Sequence, residues 1–110
     1  MGASSFRNNA VGTDIHYAFR RLVENAEADN DDEGYSGTIA EKSSFVMSKK
    51  PARVDPEKWY FQVKDFCEKD KSQKHYDLLK EDFEIYDDKW GPALCIPTKD
   101  GFIFCGFASE

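Results

Sequence analysis

Trp90-Gly-Pro-Ala-Leu-Cys-Ile-Pro-Thr-Lys-Asp-Gly-Phe-Ile-Phe-Cys-Gly-Phe107 is the stretch around which the rest of the 110-residue chain has to be arranged. Two apolar runs, Ala93 to Ile96 and Phe102 to Phe107, flank Thr98-Lys99-Asp100-Gly101. Asp-Gly between hydrophobic runs is a strong hairpin signal. Two registers fit. A two-residue loop at Asp100-Gly101 sets Lys99 opposite Phe102 and Cys105 opposite Ile96. A type I turn at Lys99-Asp100, with Gly101 as a left-handed bulge, sets Thr98 opposite Phe102 and Cys95 opposite Cys105. The second suits Lys99 better, because lysine is at home inside a turn and not at a strand end. It places Leu94, Ile96, Phe102 and Phe104 on one face and Cys95, Ile103, Cys105 and Phe107 on the other. Both faces are apolar, so the ribbon is either covered on both sides or covered on one and offered to a partner on the other.

Outward from the hairpin, Ala3 to Val11 fits an edge strand that ends in the Gly12 turn. Thr13 or Asp14 then caps a helix whose apolar residues, Ile15, Phe19, Leu22, Val23 and Ala26, recur at three-to-four spacing. Acidic residues at its C-terminal end oppose the dipole, so the helix should fray near Asp29. Thr38-Ile39-Ala40 and Ser44-Phe45-Val46-Met47 read as a second hairpin. Asp55-Pro56 opens a second helix, with Asp as cap and Pro at the first helical position. Its stripe is Trp59, Tyr60, Val63, Phe66 and Cys67, and Trp59 and Phe66 are expected to face the sheet. Residues 68–74 are all polar, and Tyr76, Leu79, Phe83 and Tyr86 resume the stripe, with Ser72 as a candidate cap. The order strand, helix, strand, strand, helix, helix, strand, strand predicts a single α+β domain over residues 1–110: an antiparallel sheet built from hairpins, with about three helices packed on one face.

Composition narrows the function classes. Hydrophobic residues at 40%, with nine Phe, supply one core, and charged residues at 33% cover it, which excludes a globally disordered chain. A net charge of -6 argues against direct nucleic-acid or anionic-membrane binding and favours basic protein partners. No apolar run is long enough to span a bilayer. The opening Met1-Gly2-Ala3-Ser4-Ser5-Phe6 begins like a myristoylation signal, but Phe6 stands where Ser or Thr is required, so no lipid is expected. Three cysteines without Cys-x-x-Cys spacing point to free thiols in a reducing cytoplasm.

No chemical motif emerges. Asp29, Asp31, Glu33 and Gly34 match the first, third, fifth and sixth positions of a calcium loop, but the twelfth is Ala40, and Glu41 arrives one residue late. No metal and no cofactor are expected. His16 and His75 lie on different elements, and neither has a second ligand at helical spacing. The expected partner-binding residues are the acidic run Glu27, Asp29, Asp31, Asp32 and Glu33, the acidic end of the third helix at Asp87 and Asp88, and the apolar Trp90 and Phe107 of the hairpin. The competing readings are a small enzyme assembled around Tyr35, Glu41 and either histidine, and a minor virion or assembly component marked by homo-oligomerisation.

Met1-Gly2-Ala3-Ser4-Ser5-Phe6, Tyr35-Ser36-Gly37-Thr38-Ile39-Ala40-Glu41-Lys42, and Asp88-Lys89-Trp90-Gly91-Pro92-Ala93 with Phe104 to Ser109 resemble small uncharacterised proteins encoded by tailed bacteriophages. The resemblance covers the two ends and part of the middle, and leaves residues 54–86 outside it. It implies a small binding protein in the host cytoplasm, such as an inhibitor of a host or anti-phage defence complex.

Overall fold

A computed structural model of the protein describes residues 2–29 and 36–110, without the side chain of Asp29. Strand β1 (Ala3–Val11) leads into helix α1 (Ile15–Asp29). A 3-10 turn (Ile39–Glu41), strand β2 (Phe45–Met47) and helices α2 (Pro56–Lys64) and α3 (Tyr76–Asp87) follow. Strands β3 (Ala93–Pro97) and β4 (Gly101–Ser109) end the fold. The four strands form one sheet in the order β1-β4-β3-β2, antiparallel except for β2 beside β3. The chain is therefore α+β, with a mostly antiparallel sheet and three helices. No helix among the described residues is long and apolar enough to cross a membrane.

The expected caps form. Asp14 Oδ1 accepts the Tyr17 N–H (3.1 Å) and Asp55 Oδ2 accepts the Lys58 N–H (3.1 Å), with Pro56 at the helix start. Ser72 does not cap α3, because His75 takes that position in the left-handed conformation (φ 62°) without a side-chain hydrogen bond to the helix.

Three expectations are corrected. The second hairpin does not form: the segment around Ile39 is the 3-10 turn, and β2 runs parallel to β3. The reason is local. Thr38 Oγ1 accepts the Ala40 N–H, and Glu41 accepts both the N–H and the hydroxyl of Ser36, so side chains hold this backbone in a turn in place of a ladder. The two-helix connection from β2 to β3 then supplies the long crossover that parallel neighbours need.

The helices also do not share one face. Ala93, Cys95, Phe104 and Phe102 cluster with Phe19, Ala18 and Ile39, whereas Leu94, Ile96, Ile103 and Cys105 cluster with Trp59, Val63, Leu79 and Tyr86. Because the central hairpin is apolar on both faces, each face has to be covered: α1 and the 3-10 turn take one, α2 and α3 the other. Trp59 and Val63 are fully buried and Phe66 nearly so, as the helical stripe predicts.

Finally, the turn adopts neither predicted register. Pro97 pairs with Phe102 and the Thr98 N–H bonds Gly101 O (2.8 Å), leaving Lys99-Asp100 as the loop. Cys95 lies opposite Phe104, and Cys105 opposite Leu94. A one-residue slip moves side chains to the other face of a sheet, so the two cysteines end on opposite faces. Gly101 is required for close approach and not for a left-handed φ: a Cβ there would stand 1.8 Å from Ala10 O of β1. The register is thus set by β1 docking beside the turn.

All three thiols are free, Cys67 exposed and Cys95 and Cys105 buried. Burial pushes the Cys95 thiol up to about 12 and raises Cys105 as well. Native protein should therefore react with a thiol-specific disulfide reagent at one site per chain, Cys67, and at all three in denaturant, because the thiolate is the nucleophile. Fast reaction of two or more native thiols would contradict this. The same shifts predict a loss of stability at alkaline pH. Below the ordinary thiol value of 9.0 both states hold the proton and stability is complete. As pH rises from there towards about 12, the unfolded chain ionises first and stability falls.

Candidate functional site

Of the expected acidic run, Glu27 is exposed in the last turns of α1 and Asp29 closes that helix. Asp31, Asp32 and Glu33, like Gly34 and Tyr35, lie outside the described residues, and with them the third, fifth and sixth calcium-loop positions. Among the described residues no three His, Cys, Asp or Glu side chains gather as a metal ion would need.

The second acidic segment has a definite setting. α3 turns Leu79 and Tyr86 into the core and leaves Glu81, Glu84, Asp87 and Asp88 exposed at its C-terminal end. Phe66, from the loop after α2, meets Phe83 of α3 with ring centroids 5.3 Å apart. These rings belong to the floor of an open groove of about 290 Å³, whose rim carries Glu68, Glu84, Asp87, Asp88 and Lys80. Four carboxylates thus face one ammonium. None of the four carboxylates makes an ion pair with a described residue, and the last turn of α3 holds no basic residue to offset its carbonyl dipoles. Side-chain charge and helix dipole therefore add, and the groove attracts cations.

Asp88 links this groove to Trp90. Its Oδ1 accepts the Trp90 N–H (3.0 Å), and a Cβ on Gly91 would stand 2.7 Å from its Oδ2, so a larger residue there would push the Asp88 carboxylate aside. Lys42, only 3% exposed, fastens the same turn: its Nζ donates to the carbonyls of Asp88 (3.0 Å) and Gly91 (2.9 Å). Burial lowers the Lys42 ammonium below its ordinary value, and nearby Asp88 opposes that shift. Held this way, the Trp90 indole is 60% exposed, with Lys89 Nζ 5.3 Å from its ring centroid. Phe107 is placed differently. It is half-buried, packed against the core cluster with its ring 5.4 Å from that of Tyr86 (centroid to centroid).

The opposite end of α3 is basic. Arg53, Lys58, Lys74 and His75 line a groove of about 720 Å³ in which the one acid, Asp55, is engaged as the cap of α2. The charge of -6 is thus unevenly spread, and α3 separates an acidic end from a basic one.

Of the residues in the enzyme reading, Glu41 and the two histidines each have a defined setting, and the histidines stand on opposite faces of the sheet. Glu41 is occupied by Ser36. The His16 ring rests on Phe45 (5.4 Å) on the α1 face, while His75 lies against Trp59 (6.0 Å) on the other. Tyr35 lies outside the described residues.

Sequence reasoning passed over Asp82. Fully buried, it accepts the Trp59 Nε1–H (2.8 Å), the Lys49 N–H (2.9 Å) and the Ser48 hydroxyl, tying the end of β2 and helix α2 to α3. The available signal was its position, three residues after Leu79 and four before Tyr86: a carboxylate on an apolar stripe. Phe66 and Phe83 were legible as core residues, but their exposed edges as a groove floor were not.

The chain matches no protein-family model, no curated protein and no solved structure.

Proposed function

We propose that this protein is a non-catalytic binding protein that receives a basic segment of a protein partner in the acidic groove at the C-terminal end of α3. The observation that carries the reading is the pairing of an aromatic floor, Phe66 and Phe83, with four rim carboxylates that form no ion pair with a described residue. A lysine or arginine side chain can lay its alkyl stem on the rings and its charge on the rim. Exposed Trp90, fixed beside Asp88, adds the kind of rigid aromatic contact on which interfaces concentrate their binding energy. The resemblance to small phage proteins supports a host or defence complex as the target, with inhibition by occupying its basic surface.

The test compares capture from bacterial lysate by wild-type protein and by a Glu84→Lys, Asp87→Lys variant. Both positions are exposed, so the fold should survive, as circular dichroism can verify. A captured partner should elute as salt rises from about 0.1 to 1 M, where screening shortens from about 10 to 3 Å. The variant should bind it at least about tenfold more weakly, a loss of about 1.4 kcal/mol. A partner held equally by both proteins and at high salt would refute the groove as the binding site.

A further inference from the structure

Strand β1 forms one border of the sheet and, among the described residues, pairs only with β4. Its ladder keeps one register throughout, and the Gly12 N–H bonds Asp100 O (2.9 Å) at one end while the Glu110 N–H bonds Gly2 O (3.4 Å) at the other. Even-numbered residues of β1 are therefore the hydrogen-bonded partners of β4. Antiparallel ladders alternate, so the N–H and C=O groups of Ala3, Ser5, Arg7, Asn9 and Val11 point away from the sheet. No backbone bond joins these groups to another described element.

Edges of this length are ordinarily blunted by proline, lysine, a bulge or an inward-pointing charge. Ala3–Val11, Ala-Ser-Ser-Phe-Arg-Asn-Asn-Ala-Val, has no proline or lysine, and its register has no bulge. Its single charge, Arg7, is held by Glu57 and lies over the Tyr60 ring (4.6 Å). Open grooves flank the strand, one of about 590 Å³ against Ser5, Phe6, Arg7 and Asn8 and one of about 350 Å³ against Asn9, Ala10 and Val11. Consecutive residues lining one concavity are what an accessible strand edge presents, since side chains alone would alternate between faces.

We propose that this edge pairs antiparallel with the same edge of a second copy, joining two sheets into one across a two-fold axis. The side chains argue for a second copy. With full overlap, centred on Arg7, Ala3 of one copy faces Val11 of the other and Ser5 faces Asn9. Apolar thus meets apolar and polar meets polar, and Val11, 86% exposed in the single chain, gains cover. The two central arginines each bring the Glu57 carboxylate that already neutralises them. Sliding by two residues sets Val11 opposite Ser5 or carries it past Ala3, and also loses ladder bonds. Five facing pairs would exchange about ten backbone hydrogen bonds. Two chains of charge -6 repel, and β1 itself contributes no acidic side chain while its Arg7 offsets the Glu57 carboxylate beside it, so this edge is where like-charged copies can meet.

Sedimentation equilibrium should give wild-type protein about twice the 12.6 kDa chain mass. Ser5→Pro removes only an outward N–H and leaves the bonds to β4 in place, as an edge strand tolerates. It should halve the mass with unchanged circular dichroism. Hydrogen exchange on the unmodified protein gives an independent answer: on this proposal the amides of Ser5, Arg7 and Asn9 are protected together with those of Phe6 and Asn8. Three results would each overturn it. They are a monomeric wild type whose odd-numbered β1 amides exchange quickly, as for an edge kept for a foreign strand; a dimer that survives Ser5→Pro in a folded chain; and a dimer in which those amides remain unprotected.

Discussion

Asp82→Ala should lower the unfolding free energy by about 3 to 5 kcal/mol in urea melts. The substitution strips the acceptor from the Trp59 indole, from the Lys49 N–H and from the Ser48 hydroxyl, at a position with no solvent exposure. A buried donor left unpaired costs about 1 to 3 kcal/mol. The total stays below three full penalties, because the Ser48 hydroxyl can turn elsewhere and the carboxylate no longer has to be held out of water. In a Trp59→Phe background one donor is already gone, so Asp82→Ala should cost about 1 kcal/mol less there. A loss under about 1 kcal/mol in the wild-type background would show that the carboxylate does not hold β2 and α2 to α3.

Trp59→Ala should cost about 3 to 5 kcal/mol, as truncation of a large buried aromatic does. The indole is fully buried in the cluster that includes Val63, Leu79 and Ile103, and its removal also withdraws a donor from Asp82. Because Trp59 and Asp82 share that bond, the double substitution should cost less than the sum of the single ones. Additive losses, or a Trp59→Ala cost in the range of surface substitutions, would contradict the packing described for α2.

Much of the fold was legible along the chain because local chemistry decided it. Asp55-Pro56 could hardly be anything but a helix start, and the three-to-four spacing from Ile15 to Ala26 and from Trp59 to Phe66 identified amphipathic helices. The polar interval at residues 68–74 separated α2 from α3, and Asp100-Gly101 between apolar runs marked the hairpin. The acidic end of α3 was also readable, since Glu81, Glu84, Asp87 and Asp88 avoid its apolar stripe.

What the sequence by itself determined was therefore the α+β element order, apart from one segment around Ile39, and an apolar hairpin that had to be covered. The tertiary structure decided the rest, through contacts between distant segments. β1 approaching the turn at Gly101 selected a register one residue from the preferred one, and so divided Cys95 and Cys105 between faces. Two apolar faces demanded two layers of helix, which sent α1 to one side and α2 with α3 to the other. The groove needed Phe66 and Glu68 brought against α3, and Asp82 became intelligible only when Ser48, Lys49 and Trp59 converged on it. A local pattern records which face of an element is apolar, but not what that face meets. A polar side chain on an apolar stripe has no local explanation until its distant partners satisfy it.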